Sequence, residues 1–233
     1  MSPSFYKVLF LVALLIIWKL FGKRIVALLL VRSAAQGALN DVGKKAIDAQ
    51  PDFVNLARNE FPQFTNPGGI DELKNPLLAS GFDYVGTFNV DKMAGVKIAM
   101  LAKPDDYVTA YIYEHPKAGI WIELVTRYQD GTCQTVSTLP STGIQPPPWV
   151  KTVRAAKAPA MDLVRQLTFV RRSGDMKKIA ADNAVREFEE GYAKSIVWQK
   201  NNGLTPEEVA TVVRDWAANK EIQSEIQSYN SGA

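Results

Sequence analysis

A chain of 233 residues with 27 Lys and Arg against 24 Asp and Glu has room for one good-sized domain, and lacks the charge imbalance of a disordered polyelectrolyte or a strongly nucleic-acid-binding domain. One cysteine, Cys133, excludes an internal disulfide, and one histidine, His115, leaves too few ligands for a structural zinc site built from Cys and His. No GxGxxG, GxxxxGK[ST] or GxSxG run occurs, so phosphate-cradling loops and a nucleophile elbow are missing too.

The first element is FYKVLFLVALLIIWKLFGKRIVALLLVR, residues 5–32. Its unbroken apolar run, 8–18, is shorter than the roughly 20 residues a bilayer core needs. Residues 5–22 give about 27 Å of helix, a workable span if Lys7 and Lys19 extend their stems to the headgroups. A cleaved signal peptide is the competing reading, because the small residues SAAQGA follow. Lys19, Lys23, Arg24 and Arg32 stand between the apolar core and any such cleavage point and count against it. The expectation is a retained single-pass anchor over 1–32. Lys and Arg gather on its C-terminal side, with Lys44 and Lys45 beyond, so the positive-inside rule places the body in the cytoplasm, at the inner membrane if the source is bacterial.

Residues 33–80 read as a helical stalk or cap. Val42, Ile47, Phe53, Val54, Leu56 and Ala57 supply partial stripes, Pro51 stands where a new helix would begin, and 70–80 is a short helix ending at Gly81. Over 81–140 the period changes to 2. FDYVGTFNV, VKIAMLA, YVTAYIYEH, IWIELVTRY and CQTVSTL form an antiparallel meander. Reading Asp130-Gly131 as a two-residue turn sets Tyr128 opposite Cys133, and the preceding hairpin sets His115 opposite Ile120. In that register Tyr107, Tyr111, Tyr113 and Tyr128 share a core face with Ile120, Ile122, Leu124 and Cys133. Lys97, Glu114, Trp121, Glu123 and Arg127 then share a mixed opposite face.

Residues 141–158 are a proline-rich connection in which WVKTV reads as a sixth strand at an edge. Helices fill 159–220, with Met161, Val164 and Leu167 on one apolar face and Val185, Phe188, Tyr192 and Ile196 on the next. TPEE at 205–208 is a capping box, and 221–233 is a polar tail. The fold class is α+β: a single-pass transmembrane helix, then an antiparallel five- or six-stranded sheet with one face packed by C-terminal helices, in a domain over 81–220.

His115 and Cys133 are the one imidazole and thiol, but the register sets them eight residues apart along the strands, about 26 Å, which excludes a dyad. Glu114 and Glu123 could act as paired carboxylates only if they converged; cross-strand ion pairs on a solvated face explain them at less cost. Lys97, Glu114, Trp121, Glu123 and Arg127 form the candidate protein-interaction surface. Lys151, Arg154, Lys157, Arg165, Arg171, Arg172, Lys177 and Lys178 form a candidate membrane-facing surface, drawn to anionic headgroups at about 1 kcal/mol per charge. Few aromatics are interleaved with them, so no nucleic-acid partner is expected. Elimination leaves a membrane-tethered, non-catalytic accessory or assembly protein. Its expected partners are the bilayer, through residues 5–31, and another membrane or membrane-proximal protein, with no metal or cofactor. The alternative is a tethered domain that holds a lipid or small apolar ligand in a tyrosine-lined cavity. An enclosed void on the order of several hundred Å³ would favour it and a filled core would sink it.

Overall fold

The computed structural model describes residues 41, 43–45, 47–116, 118–140, 144–205 and 207–211. The anchor expected over 1–32 and the polar tail lie outside the described residues, and among those described no helix is long and apolar enough to cross a membrane.

Seven strands form one sheet in chain order: β1 (Leu56–Arg58), β2 (Asp83–Val90), β3 (Lys97–Lys103), β4 (Val108–His115), β5 (Gly119–Arg127), β6 (Cys133–Ser137) and β7 (Val150–Arg154). Neighbours from β1 to β6 run antiparallel, whereas β7 runs parallel to β6. The expected antiparallel sheet of five or six strands is therefore corrected to a mixed sheet of seven. Two features account for the difference. Residues 138–149 are long enough for the crossover of about a dozen residues that a parallel neighbour requires. At the other edge β1 arises inside the segment expected to be helical. Val54 and Leu56 are buried while Asn55 and Ala57 are exposed, a period of 2 that five residues are too few to announce.

Among the described residues, three helices pack on the sheet, α1 (Pro67–Ala79), α2 (Ala160–Val170) and α3 (Ala184–Asn202), with further helical residues at 43–45 and 207–211. Asn66 caps α1 by accepting from the Gly69 N–H at 3.0 Å, and Pro67 occupies the first turn, where no amide partner is needed. Beyond α3, Thr205 N donates to Glu208 Oε2 at 2.6 Å and Glu208 N donates to Thr205 Oγ1 at 3.2 Å, the reciprocal bonds of the expected capping box.

Both faces of the sheet are covered, which corrects the expectation that helices pack only one. On one face Ile70 and Leu77 of α1 and Leu163 and Leu167 of α2 close over Leu101, Ala110, Ile112, Ile122, Leu124 and Val136, all 1% exposed or less. On the other, Phe188 and Tyr192 of α3 face Ile98, Met100, Tyr111, Val125 and Cys133. α1 and α2 lie close against the strands, whereas α3 approaches none of them so nearly.

The strand register decides what meets α3. His115 pairs with Gly119 rather than Ile120, and Cys133 pairs with Arg127 rather than Tyr128. The second hairpin is not a two-residue turn. Gly131 N donates to Tyr128 O, Tyr128 N donates to Thr132 O, and Gly131 carries φ of +78°, the three-residue loop with a left-handed glycine. In the first, the Ala118 N–H donates to His115 Nδ1 at 3.0 Å and tightens the turn by one residue. A shift of one residue exchanges the two faces of a strand. Accordingly β5 alone is reversed: Trp121, Glu123, Val125 and Arg127 point to the tyrosine side, and Ile120, Ile122 and Leu124 to the side of α1 and α2.

Candidate functional site

Because α3 stands off the sheet, a half-open cleft of about 380 Å³ remains between them. Its walls are mainly apolar, with Val54, Val96, Ile98, Val125 and Phe188 among them. Cross-strand neighbours supply an aromatic row. Tyr113 lies opposite Trp121 with rings stacked at 4.6 Å, and Phe188 leans on Tyr111 from the helix at 5.2 Å. Trp149 lines the cleft near β7, with Lys194 Nζ 4.4 Å from its ring centre.

The polar groups in this lining are few and unusually placed. Glu123 sits opposite Tyr111 and Ser137 in the ladder, receiving hydrogen bonds from Ser137 Oγ at 3.2 Å and Tyr113 Oη at 3.4 Å. Burial pushes its carboxyl above the usual range, although Arg154 and both hydrogen bonds pull the other way. Burial likewise pushes the Tyr113 phenol well up, with Glu123 adding to the effect.

Two cations line the cleft, Lys194 and the less exposed Arg127. The Arg127 guanidinium lies against the backbone of α3 at Gly191, where an added Cβ would come within 2.9 Å of Nη2. Glycine inside a helix costs about 1 kcal/mol relative to alanine, and here it makes the space that Arg127 occupies. Arg127 Nε and Tyr111 Oη are both buried without a well-formed hydrogen bond, and no carboxylate pairs with Arg127 among the described residues. Burial opposes its charge, but Tyr111 and Cys133 nearby favour it and prevail. Glu187, the nearby acid on α3, is committed to Lys177 at 2.5 Å. Cys133 is buried and burial pushes its thiol up, so it is no activated nucleophile.

Of the four tyrosines expected to share a face, Tyr111 and Tyr113 line the cleft. Tyr107 sits after the 3-10 turn Pro104–Asp106 with φ of +58°, and Tyr128 packs under Arg172 at 4.1 Å. Tyr192, Trp121 and Trp149 take their places. Sequence reasoning missed all three as cleft residues, although Tyr192 was legible as the apolar stripe of α3.

The candidate interaction surface is divided by the reversed strand. Lys97 and Glu114 remain together at 3.0 Å, with Asn66 N donating to Glu114, whereas Trp121, Glu123 and Arg127 are across the sheet. Burial works against ionised Glu114, but Asn66 and Lys97 win and hold its carboxyl below the usual range. The two carboxylates therefore do not converge. His115 and Cys133 line one cleft but stay eight residues apart in register.

Half of the basic surface is neutralised at home. Arg165 pairs with Asp162, Arg172 with Asp130 at 2.5 Å, Lys177 with Glu187 and Lys178 with Asp105 at 2.7 Å. Arg154 and Arg171 donate to the carbonyls of Leu139 and Asp106. Lys151 and Lys157 are exposed. Among the described residues no cluster of His, Cys, Asp and Glu is placed to hold a metal ion. No protein-family model, curated protein or solved structure matches the chain.

Proposed function

We propose that the domain binds a small, largely apolar ligand in the cleft between the sheet and α3. The observation that carries this reading is the cleft itself. A void of about 380 Å³ lies within the 300–1,000 Å³ range typical of ligand sites, and its mainly apolar, aromatic walls hold a few convergent polar groups. A face designed only for stability would be filled to the density of its opposite face. The protein-partner surface expected from sequence needs Lys97, Glu114, Trp121, Glu123 and Arg127 on one side of the sheet, and they are on two.

Uptake of the neutral fluorophore N-phenyl-1-naphthylamine by the full chain tests the proposal. Saturable uptake is expected, and Met93→Trp or Val125→Phe, which place bulk in the cleft, should abolish it. Uptake that is absent, or indifferent to both substitutions in folded protein, would overturn the reading. Membrane association through residues 5–31, with the body cytoplasmic, is a separate proposal supported by hydropathy and charge. Protease digestion of a C-terminal tag in sealed right-side-out vesicles would refute it, and protection until the membrane is breached would support it.

A further inference from the structure

We propose that the ligand is an anionic amphiphile whose acidic head pairs with the Arg127 guanidinium while its apolar body lies along Val125, Phe188 and the Tyr113–Trp121 stack. The inference rests on the cleft reading above and adds the chemistry of the head group.

A cation drawn partly out of water is costly unless it is paired and hydrogen-bonded, and Arg127 is half-buried with its Nε inaccessible. Every other charged side chain facing this region has an answer within the chain. Glu187 has Lys177, Glu123 has Ser137 and Tyr113, and Lys194 has the Gly131 carbonyl at 3.3 Å and the Trp149 ring. Arg127 is the exception. Among the described residues its Nε meets no acceptor in good geometry, the Tyr111 hydroxyl beside it, Cys133 and the more distant charge of Glu187 favour its charge, and the helix gives up a side chain at Gly191 to seat the guanidinium.

Glu123 is engaged by Ser137 and Tyr113 and forms no ion pair with Arg127 among the described residues. It lies four residues along the same strand, about 13 Å away at 3.3 Å per residue. An external anion can supply what is missing, because the guanidinium fork accepts a carboxylate or a phosphate through two parallel N–H bonds. Lys194, on the turn of α3 after Gly191, adds a second positive charge at the same end of the cleft. The mainly apolar lining argues for a ligand with an apolar body rather than a compact inorganic anion, which would leave those walls uncovered.

The test is displacement of bound N-phenyl-1-naphthylamine from the full chain by four ten-carbon probes: decanoate, decyl phosphate, decan-1-ol and decylammonium. Either or both anions should displace it at concentrations at least about tenfold below decan-1-ol, with decylammonium weakest. The anion that leads identifies the head group. In Arg127→Met the anion-to-alcohol ratio, read within the variant, should fall to about one. Gly191→Ala provides a second reading if Arg127→Met fails to fold, since its Cβ pushes the guanidinium aside without removing the charge; the ratio should again fall several-fold. Equal displacement by anions and alcohol in the native chain, or a preference that survives both substitutions, overturns the anionic head while leaving the cleft reading intact. Failure of the native chain to take up the fluorophore at all removes the cleft reading itself.

Discussion

The two faces of one sheet are packed by different rules. Under α1 and α2 the side chains are aliphatic, the helices lie close, and Leu163, Leu167, Ile112, Ile122 and Leu124 have no measurable exposure. Under α3 the helix stands off, an arginine and a glutamate occupy the interface, and space is left over. The standoff is held by polar links. Leu56 N donates to Glu189 at 2.6 Å, Tyr192 Oη donates to the Pro51 carbonyl at 3.0 Å, and Lys200 pairs with Asp52 at 2.6 Å. One face supplies stability, and that frees the other to keep a cleft.

Truncation should expose this asymmetry most strongly. Leu163→Ala removes a side chain enclosed on all sides and should cost about 4–5 kcal/mol, the upper part of the range for buried leucines. Ile98→Ala, equally inaccessible but lining the cleft, should cost only about 2–3 kcal/mol, because atoms beside an existing void have fewer partners to lose. Urea denaturation of both variants measures the difference. Equal costs would mean that the cleft closes in solution, and the contrast between the faces would disappear.

The hairpin that sets the contrast is the next place to press. Gly131 at φ of +78° fixes the three-residue loop that pairs Cys133 with Arg127. Gly131→Ala should cost about 1–2 kcal/mol from left-handed strain, since the space itself is nearly open, with Lys194 Nζ at 3.4 Å. A gain in stability would show that the loop does not need this conformation.

These two hairpins also explain what could be read from sequence. The five strands of the meander, the edge position of WVKTV, the apolar stripe of α3 and the Thr205–Glu208 box follow from local patterns and are present. The phase of β3 and β4 was legible too, because the alternation of Ile98 and Met100 with Lys97 and Leu101, and of Tyr111 and Tyr113 with Ile112 and Glu114, persists over whole strands. Strand β5 was not. Ile120, Ile122 and Leu124 alternate with Trp121, Glu123 and Val125, so either phase buries apolar surface and only turn geometry decides. Asp130-Gly131 fits a two-residue or a three-residue loop equally well, and the choice moved Trp121, Glu123 and Arg127 across the sheet. A cleft made by that choice could not be seen in any single segment.

Glu123 offers a pH test of the wetter face. Its folded-state carboxyl is raised by burial, so the native state holds the proton more tightly than the unfolded state. The sign follows: stability is fully present below the unfolded value of 4.5 and is lost as pH rises through the folded one. Glu123→Gln cannot ionise. Its melting temperature should therefore gain on that of the native chain as pH rises above 4.5, on the order of a few degrees. A gap that stays constant as pH rises would show that Glu123 ionises as easily folded as unfolded.

The smallest expected effect lies at the Asp130 side chain, where Asp130 accepts from Thr132 N at 3.0 Å, from Thr132 Oγ1 at 2.7 Å and from Arg172 at 2.5 Å. Thr132 and Arg172 together hold the Asp130 carboxyl down to about 2. The sign is opposite to that of Glu123, because a lowered carboxyl contributes stability above its unfolded value of 3.8 that is lost as pH falls through about 2. Asp130→Asn keeps one acceptor oxygen for Thr132 but loses the charge facing Arg172. Its melting temperature should fall by about 1–2 °C at pH 6 and converge on that of the native chain near pH 2. The side chain is exposed, so 0.5 M salt should shrink the gap at pH 6. A gap that persists at pH 2 and in salt would assign the loop's hold to the shape of the Asp130 turn rather than to its charge. Gly131 would then be the residue that keeps β5 in the register that makes the cleft.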